Sequence, residues 1–274
     1  MSKEENPKEK KNLKRKKNIA IYGNYKNYYG YRIGQKEKED PRLSVLRREW
    51  FEGKDCLDIG CNQGLLTISI AKKFNCGHIL GIDIDAGLIE NAVWNLKRTV
   101  KMDRNSGTLP KPPESEHSEH DVSVSVGEER AGIVKESSPL EGNLLERVSF
   151  RKQNFVDKLQ WLTEKYDTVV CFSVTKWIHL NWCDDGLIML FTNIWRVLRP
   201  GGILVLEPQP WKSYQKNHQV SETATYNFHN ILFPPDYFQD ILLDKIGFRT
   251  VENIANALPG SVIGFDRPIF AYHK

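Results

Sequence analysis

The sequence predicts an α/β fold, a seven-stranded and mostly parallel sheet with helices on both faces, and three observations carry that expectation. A short apolar run ends in Leu57-Asp58-Ile59-Gly60-Cys61-Asn62-Gln63-Gly64. A helical pattern over 65–74 follows it, and a second apolar run ends in Gly81-Ile82-Asp83-Ile84-Asp85. Strand, glycine-punctuated turn, helix and a strand closing on an acid make half of a nucleotide-binding βαβ unit. The glycines let backbone approach a ligand closely, and an acid ending the second strand can take both hydroxyls of a ribose. An adenosyl cofactor fits these features.

The remaining elements follow in the order such a sheet needs. Residues 148–153 read as a third strand ending at Asn154-Phe155, and 167–172 as a buried fourth strand ending at Phe172. Residues 186–198 carry apolar side chains at helical spacing, Arg199-Pro200-Gly201-Gly202 stops that helix, and 203–207 is a fifth strand. A helical stretch at 235–246 precedes 248–254 and 268–272, a closing pair of strands.

The turn discriminates among adenosyl cofactors. A dinucleotide turn reads G-x-G-x-x-G and seats a pyrophosphate on the helix N-terminus. Here Asn62 stands where a second glycine would be, and Asp58 puts a carboxylate at the mouth, which repels phosphate and suits an ammonium. The turn resembles motif I of class I S-adenosylmethionine-dependent methyltransferases, and the helix-R-P-G-G-strand passage is typical of them too. The plainer alternative is a strand-helix turn whose glycines serve packing alone.

Length and composition fit one catalytic domain with additions, and the turn's resemblance makes it a methyltransferase domain at 51–274. Residues 102–146, rich in Ser, Glu, Pro and Gly, are expected to form a disordered insertion, because they bury too little apolar surface to offset the entropy of ordering. Residues 1–18 form a basic tail, with eight Lys or Arg against three Glu in the first 17. Such runs are usually solvated, but this one also suits nuclear import or nucleic-acid contact, so a nuclear location is expected. No apolar run reaches the 18 or so residues of a membrane span. The five cysteines lack C-x-x-C spacing, which points to buried thiols and to no metal site. A net charge of +4 permits nucleic acid without demanding it.

Two further segments are more specific than the turn. Tyr22-Gly23-Asn24-Tyr25-Lys26-Asn27-Tyr28-Tyr29-Gly30-Tyr31-Arg32 carries five tyrosines and is expected to lie over the domain as a lid, within an N-terminal extension at 19–50. Phe172-Ser173-Val174-Thr175-Lys176-Trp177-Ile178-His179-Leu180-Asn181-Trp182 leaves the fourth strand as a loop where a transferred methyl would sit, and Glu207-Pro208-Gln209-Pro210-Trp211-Lys212-Ser213-Tyr214 follows the fifth. With these blocks the chain resembles the bicoid-interacting-protein-type RNA methyltransferases. The resemblance spans 21–272 apart from the insertion, and implies methyl transfer from S-adenosylmethionine to a 5′-terminal phosphate of RNA. In one branch that is the γ-phosphate of a triphosphate end, in another a monophosphate. It implies RNA as partner, with ribonucleoprotein proteins in attendance, and neither DNA nor membrane.

By resemblance Tyr22 and Arg32 lie near the cofactor, Gly60 and Asn62 form its turn, Asp83 takes the ribose, and Asn154 with Phe155 brackets the adenine; Phe172 joins this set. Asp58 reaches the methionine ammonium or caps the following helix. Asp85 is left out of that site and can cap the next helix. The residues also speak for themselves. The segment after strand four lacks the N-P-P-Y type sequence of amino-group methyltransferases. A phosphate oxygen is anionic near neutrality and attacks a sulfonium methyl without a general base, so catalysis reduces to alignment and cations. Lys176 is the first candidate and His179 the second, each with an ordinary alternative: a solvated lysine, a satisfied core histidine. Trp182, Trp211 and Tyr214 are candidate stacking platforms for RNA, although large aromatics beside a strand are more often core, and Lys212 is a second phosphate ligand. The rivals are a methyltransferase for a non-RNA acceptor and a non-catalytic clamp for an RNA 5′ end.

Overall fold

The computed structural model describes residues 20–26, 28–29, 39–106, 143–157, 164–255 and 267–274. Its centre is a seven-stranded sheet: β1 (Asp55–Ile59), β2 (His78–Asp83), β3 (Val148–Lys152), β4 (Tyr166–Phe172), β5 (Leu198–Glu207), β6 (Thr250–Ala255) and β7 (Ile269–His273). The spatial order is β3-β2-β1-β4-β5-β7-β6. The first five run parallel, while β7 pairs antiparallel with both β5 and β6. The chain reverses its direction of travel across the sheet between β1 and β4, and α/β sheets open a crevice at such a point.

Strand alternation divides the core into two layers. Leu57, Ile59, Val169, Cys171, Leu204 and Leu206 bury on one face, and Cys56, Ile79, Val170, Val205 and Ala271 on the other. Helix α1 (Leu65–Phe74) packs Ile68, Ile70 and Phe74 into the second layer, where Leu43, Trp50 and Phe51 also sit. Residues 43–51 are thus part of the body. Helix α2 (Ala86–Ser106) runs beside β3, and a short α3 (Leu144–Arg147) leads into that strand. Both helices enter the 102–146 stretch expected to be disordered; 107–142 lies outside the described residues, as does the 1–18 tail.

The segment after β4, expected as a loop, is helix. Helix α4 spans Thr175–Val197, with one break at Cys183 (φ 53°, ψ −158°). Residues 175–180 are all buried, so no polar face betrays the period. Arg199-Pro200-Gly201-Gly202 falls within β5, which begins directly after α4. Helices α5 (Trp211–Asn217) and α6 (Glu222–Asn230) follow, then a helical run Pro235–Tyr237, Phe238–Asp240 and Ile241–Ile246. Among the described residues no helix is long and apolar enough to cross a membrane.

Candidate active site

A cavity of about 740 Å³ opens at the carboxyl ends of β1, β2, β4 and β5. Its first wall is the β1-α1 turn. Gly60 has φ 75°, and a Cβ there would lie 2.3 Å from Cγ2 of Val174, so only glycine fits. Asn62 is also left-handed, at φ 53°, and its side-chain oxygen accepts from the Gln63 amide. The Asn62 amide donates to Oδ2 of Asp83 at 3.0 Å, and the Asp85 amide to Oδ1 at 2.9 Å. Asp83 therefore pins the turn to the end of β2 and keeps further acceptor capacity on both oxygens. Burial pushes its pKa up, against the pull of those amides.

Asp58 lies beneath the same turn, 4% exposed, and accepts the Thr67 hydroxyl at 2.6 Å. Burial raises its pKa to about 6, opposed by the Thr67 hydrogen bond and the Arg42 charge. The bond comes from a side chain of α1, not from the helix's first amides, so the capping alternative gives way. Asp85 accepts the amides of Gly87 and Leu88 and caps α2 as expected. Asn154 and Phe155, just past β3, line the cavity with Phe172 at the end of β4.

The tyrosine-rich segment closes over this floor. Tyr22, Gly23, Asn24 and Tyr25 line the cavity. Asn24 donates to Asp85 at 2.6 Å, Asn62 to the Tyr25 carbonyl and Gln63 to the Lys26 carbonyl. On the other side Asn181 donates to the Ile21 carbonyl, Tyr22 stacks on Trp182 at 5.7 Å, and Tyr25 meets Trp177 edge-on. Arg32 lies outside the described residues.

The opposite wall is cationic. Lys176, in the first turn of α4, is 4% exposed; its Nζ donates to Ser213 Oγ at 3.0 Å and Asn217 Oδ1 at 2.7 Å, and sits over the Trp177 ring. Burial, with Arg267 and Lys216 nearby, lowers its pKa to about 7. Lys212, Lys216 and Arg267 line the same end. Gln209 locks the turn that presents Lys176: its Oε1 accepts the Lys176 amide and the Thr175 hydroxyl, and its Nε2 donates to the Ser173 carbonyl. Arg42 forks onto Asp40 and reaches Glu207 at 3.2 Å, while Arg267 donates to Ser173.

Eleven expected residues thus converge on one cavity: Tyr22, Asp58, Gly60, Asn62, Asp83, Asn154, Phe155, Phe172, Lys176, Trp182 and Lys212. Three do not line it. His179 is fully buried, with Nε2 2.9 Å from Asp184 and Nδ1 3.4 Å from the Tyr214 hydroxyl, and burial lowers its pKa. Its alternative as a satisfied core histidine describes it. Tyr214 is fully buried, and Trp211 stacks between Tyr214 and Phe228, so neither offers a face to a base. Sequence reasoning missed Arg42, Gln209, Arg267 and Lys216. Only Gln209 carried a signal, being held between two prolines.

Comparison with known proteins gives the family. The Bicoid-interacting protein 3 (Bin3) family model matches residues 166–274, and a general methyltransferase-domain model matches 115–206. A protein of Arabidopsis thaliana named as a probable RNA methyltransferase is 54% identical over 95% of this chain and 83% of its own length. The 7SK snRNA methylphosphate capping enzyme of Homo sapiens is 41% identical over 92% of this chain, which spans 39% of that protein. The U6 snRNA methylphosphate capping enzyme Amus of Drosophila melanogaster is 36% identical over 92% of this chain and 74% of that one. Among solved structures the CurJ carbon methyltransferase superposes with a TM-score of 0.50 at 14% identity, over 81% of this chain and 48% of that one, a likeness of fold. The protein has the class I S-adenosylmethionine-dependent methyltransferase fold, and it belongs to the Bicoid-interacting protein 3 family.

Proposed function

We propose that the protein transfers a methyl group from S-adenosylmethionine to the 5′-terminal phosphate of an RNA, the γ-phosphate of a 5′-triphosphate small RNA. The observation that carries this is the cationic end of the cavity. Lys176 is a buried ammonium whose hydrogen-bond partners, Ser213 and Asn217, are both uncharged, with Lys212, Lys216 and Arg267 around it. A cluster of cations facing a cavity suits a polyanionic chain end, and an amine or carbon acceptor would gain nothing from it.

The other end suits the cofactor. S-adenosylmethionine is cationic at its methionine end and carries no phosphate. The donor set fits: Asp58 for the ammonium, Asp83 for the ribose hydroxyls, and Asn154 with the buried Phe155 for the adenine. The bound cofactor supplies an electrophilic sulfonium methyl. The protein's part is to hold a phosphate oxygen in line with that methyl, through Lys176 and its neighbours, and to keep water out beneath the lid. A terminal phosphate loses its last proton near pH 6, so no side chain need remove one. His179, committed to Asp184, has no part in this step.

The capping relatives, at 41% and 36% identity, favour the triphosphate over the monophosphate branch, represented by the 26% identical pre-miRNA 5′-monophosphate methyltransferase of Xenopus laevis. The test is methyl transfer to one short RNA bearing triphosphate, monophosphate or hydroxyl at its 5′ end. Label on the triphosphate end is expected. Label on the monophosphate alone moves the protein to the other branch, and cofactor binding with no transfer to any end sinks the reading.

A further inference from the structure

The outer face of α2 carries an exposed tryptophan among cations. Trp94, Lys97, Arg98 and Lys101 are spaced i, i+3, i+4 and i+7, so they share one side of the helix, and all four are exposed. Trp94 is 58% exposed, and the Arg98 guanidinium lies over its ring at 5.3 Å. Among the described residues neither Lys97 nor Lys101 has a side-chain hydrogen bond or ion pair. Several other surface cations sit against carboxylates, Arg47 on Glu252, Arg48 on Glu52, Lys73 on Glu39, Arg199 on Asp55 and Asp167, and what sets this face apart is the exposed tryptophan among its cations. Of the helix's two acids, Asp103 is held by Lys72 at 2.8 Å, and Glu90 lies one turn before Trp94, at the end of the face away from Lys97, Arg98 and Lys101. A merely solvated face needs no exposed indole, and an exposed indole among cations is the chemistry that grips a nucleic-acid strand, by stacking and by phosphate contact.

The face is also connected to the cavity. Asp85, which caps α2, is tied to the lid by Asn24, and Asn95 of α2 donates to the Gln63 carbonyl of the cofactor turn, whose side chain holds the Lys26 carbonyl. Trp94 lies eight residues into the helix, about 12 Å from its start at 1.5 Å per residue, and Lys101 about 10 Å further. That second interval spans roughly three phosphates of a stacked strand.

We infer that the Trp94, Lys97, Arg98 and Lys101 face of α2 is a second RNA-binding surface, which holds the body of the substrate downstream of the 5′ end in the cavity. This rests on the proposal that the substrate is an RNA 5′ end. The surface governs affinity for long substrates and leaves the chemical step alone.

The test compares a trinucleotide 5′-triphosphate with a 30-nucleotide RNA of the same 5′ sequence. The wild type is compared with the Lys97→Ala/Lys101→Ala double variant and with Trp94→Ala. All three positions are exposed, and cofactor affinity and circular dichroism verify folding. Each variant is expected to raise KM for the long RNA on the order of tenfold, while kcat, and KM for the trinucleotide, stay as in the wild type. The plot of log affinity against log salt for the long RNA should become shallower by about 0.7 per removed lysine. Unchanged KM for the long RNA in both variants overturns the surface while the wild type still methylates both substrates. Tighter RNA binding by the double variant also overturns it. If the wild type methylates neither RNA, the parent reading fails instead.

Discussion

Lys176 and Asp58 are both buried ionisable groups whose charged forms are disfavoured in the free protein, and each has a pH signature that its proposed ligand should reverse. Lys176 loses its proton near pH 7, because burial and the cations Arg267 and Lys216 oppose its charge. The free enzyme should therefore lose affinity for a phosphate end as pH rises through 7, while the terminal phosphate gains its second charge as pH rises through about 6. The profile of kcat/KM for triphosphate RNA is expected to be bell-shaped between those limits. In the bound state the phosphate stabilises the ammonium, so the falling limb of kcat should lie at higher pH. Lys176→Arg, charged throughout, should remove the falling limb; a limb that persists there belongs to another group. Lys176→Ala should lower transfer at least a hundredfold, the order of a lost electrostatic contact in a transition state, with cofactor affinity nearly intact. Asp58 gives the opposite sign. Its pKa of about 6 means that the acid is neutral below that pH, so affinity for S-adenosylmethionine should fall as pH drops from 7 to 5, with proton release on binding seen by calorimetry. An Asp58→Asn variant should have low affinity at every pH.

At the scale of elements, the strands and the glycine turn were legible because their signals are local. Buried apolar runs, Gly60 before an open turn and Asp83 at a strand end announce themselves within a few residues. The missed residues act across the chain. Arg42 sits in the helical turn Pro41–Ser44 and meets Glu207, 165 positions away, at the end of β5. Nothing near either residue in sequence marks that pair. The first half of α4 was unreadable as helix for another reason: buried on every side, it has no polar stripe. His179 and Tyr214 were drawn towards the site by their neighbours in sequence, and His179 even lies one helical turn after Lys176, yet the two side chains are buried against each other, His179 also meeting Asp184 and Phe238. The Arg42 pairing also has an energetic consequence. Arg42 is 1% exposed and neutralises Asp40 and shares in neutralising Glu207. Arg42→Met would keep much of the volume but leave two buried carboxylates short of a partner, at a cost of about 3–5 kcal/mol. Urea unfolding would register this as a lower midpoint with an unchanged slope, and a loss below 1 kcal/mol would mean that Arg267, whose guanidinium lies 3.7 Å from Glu207, suffices for that carboxylate.

Across the whole molecule the proposed cofactor residues Asp58, Asp83, Asn154 and Phe155 stand at the ends of β1–β3, the proposed acceptor residues Lys176 and Lys212 follow β4 and β5, with Phe172 at the end of β4 between them, and residues 21–26 bridge the two halves. Asn24, Tyr25 and Lys26 are held by Asp85, Asn62 and Gln63 on one side; Ile21, Tyr22 and Tyr25 meet Asn181, Trp182 and Trp177 on the other. A segment fastened to both halves transmits occupancy, because whatever orders it for one ligand has lowered the entropy left to lose for the second. S-adenosylhomocysteine should thus tighten binding of a 5′-triphosphate RNA, and by linkage the RNA should tighten the cofactor product by the same factor, in the fivefold to hundredfold range typical of such coupling. Asn24→Ala removes the tie to Asp85 without touching Lys176, and Trp182→Ala removes the stack on the acceptor side. Each is expected to bring the ratio of RNA affinities with and without S-adenosylhomocysteine towards one, while Asp83→Ala abolishes cofactor binding yet leaves the bare RNA affinity in place. A ratio that survives both lid variants would mean that the two halves communicate through the β1-β4 junction of the sheet itself, with the lid a cover and no more.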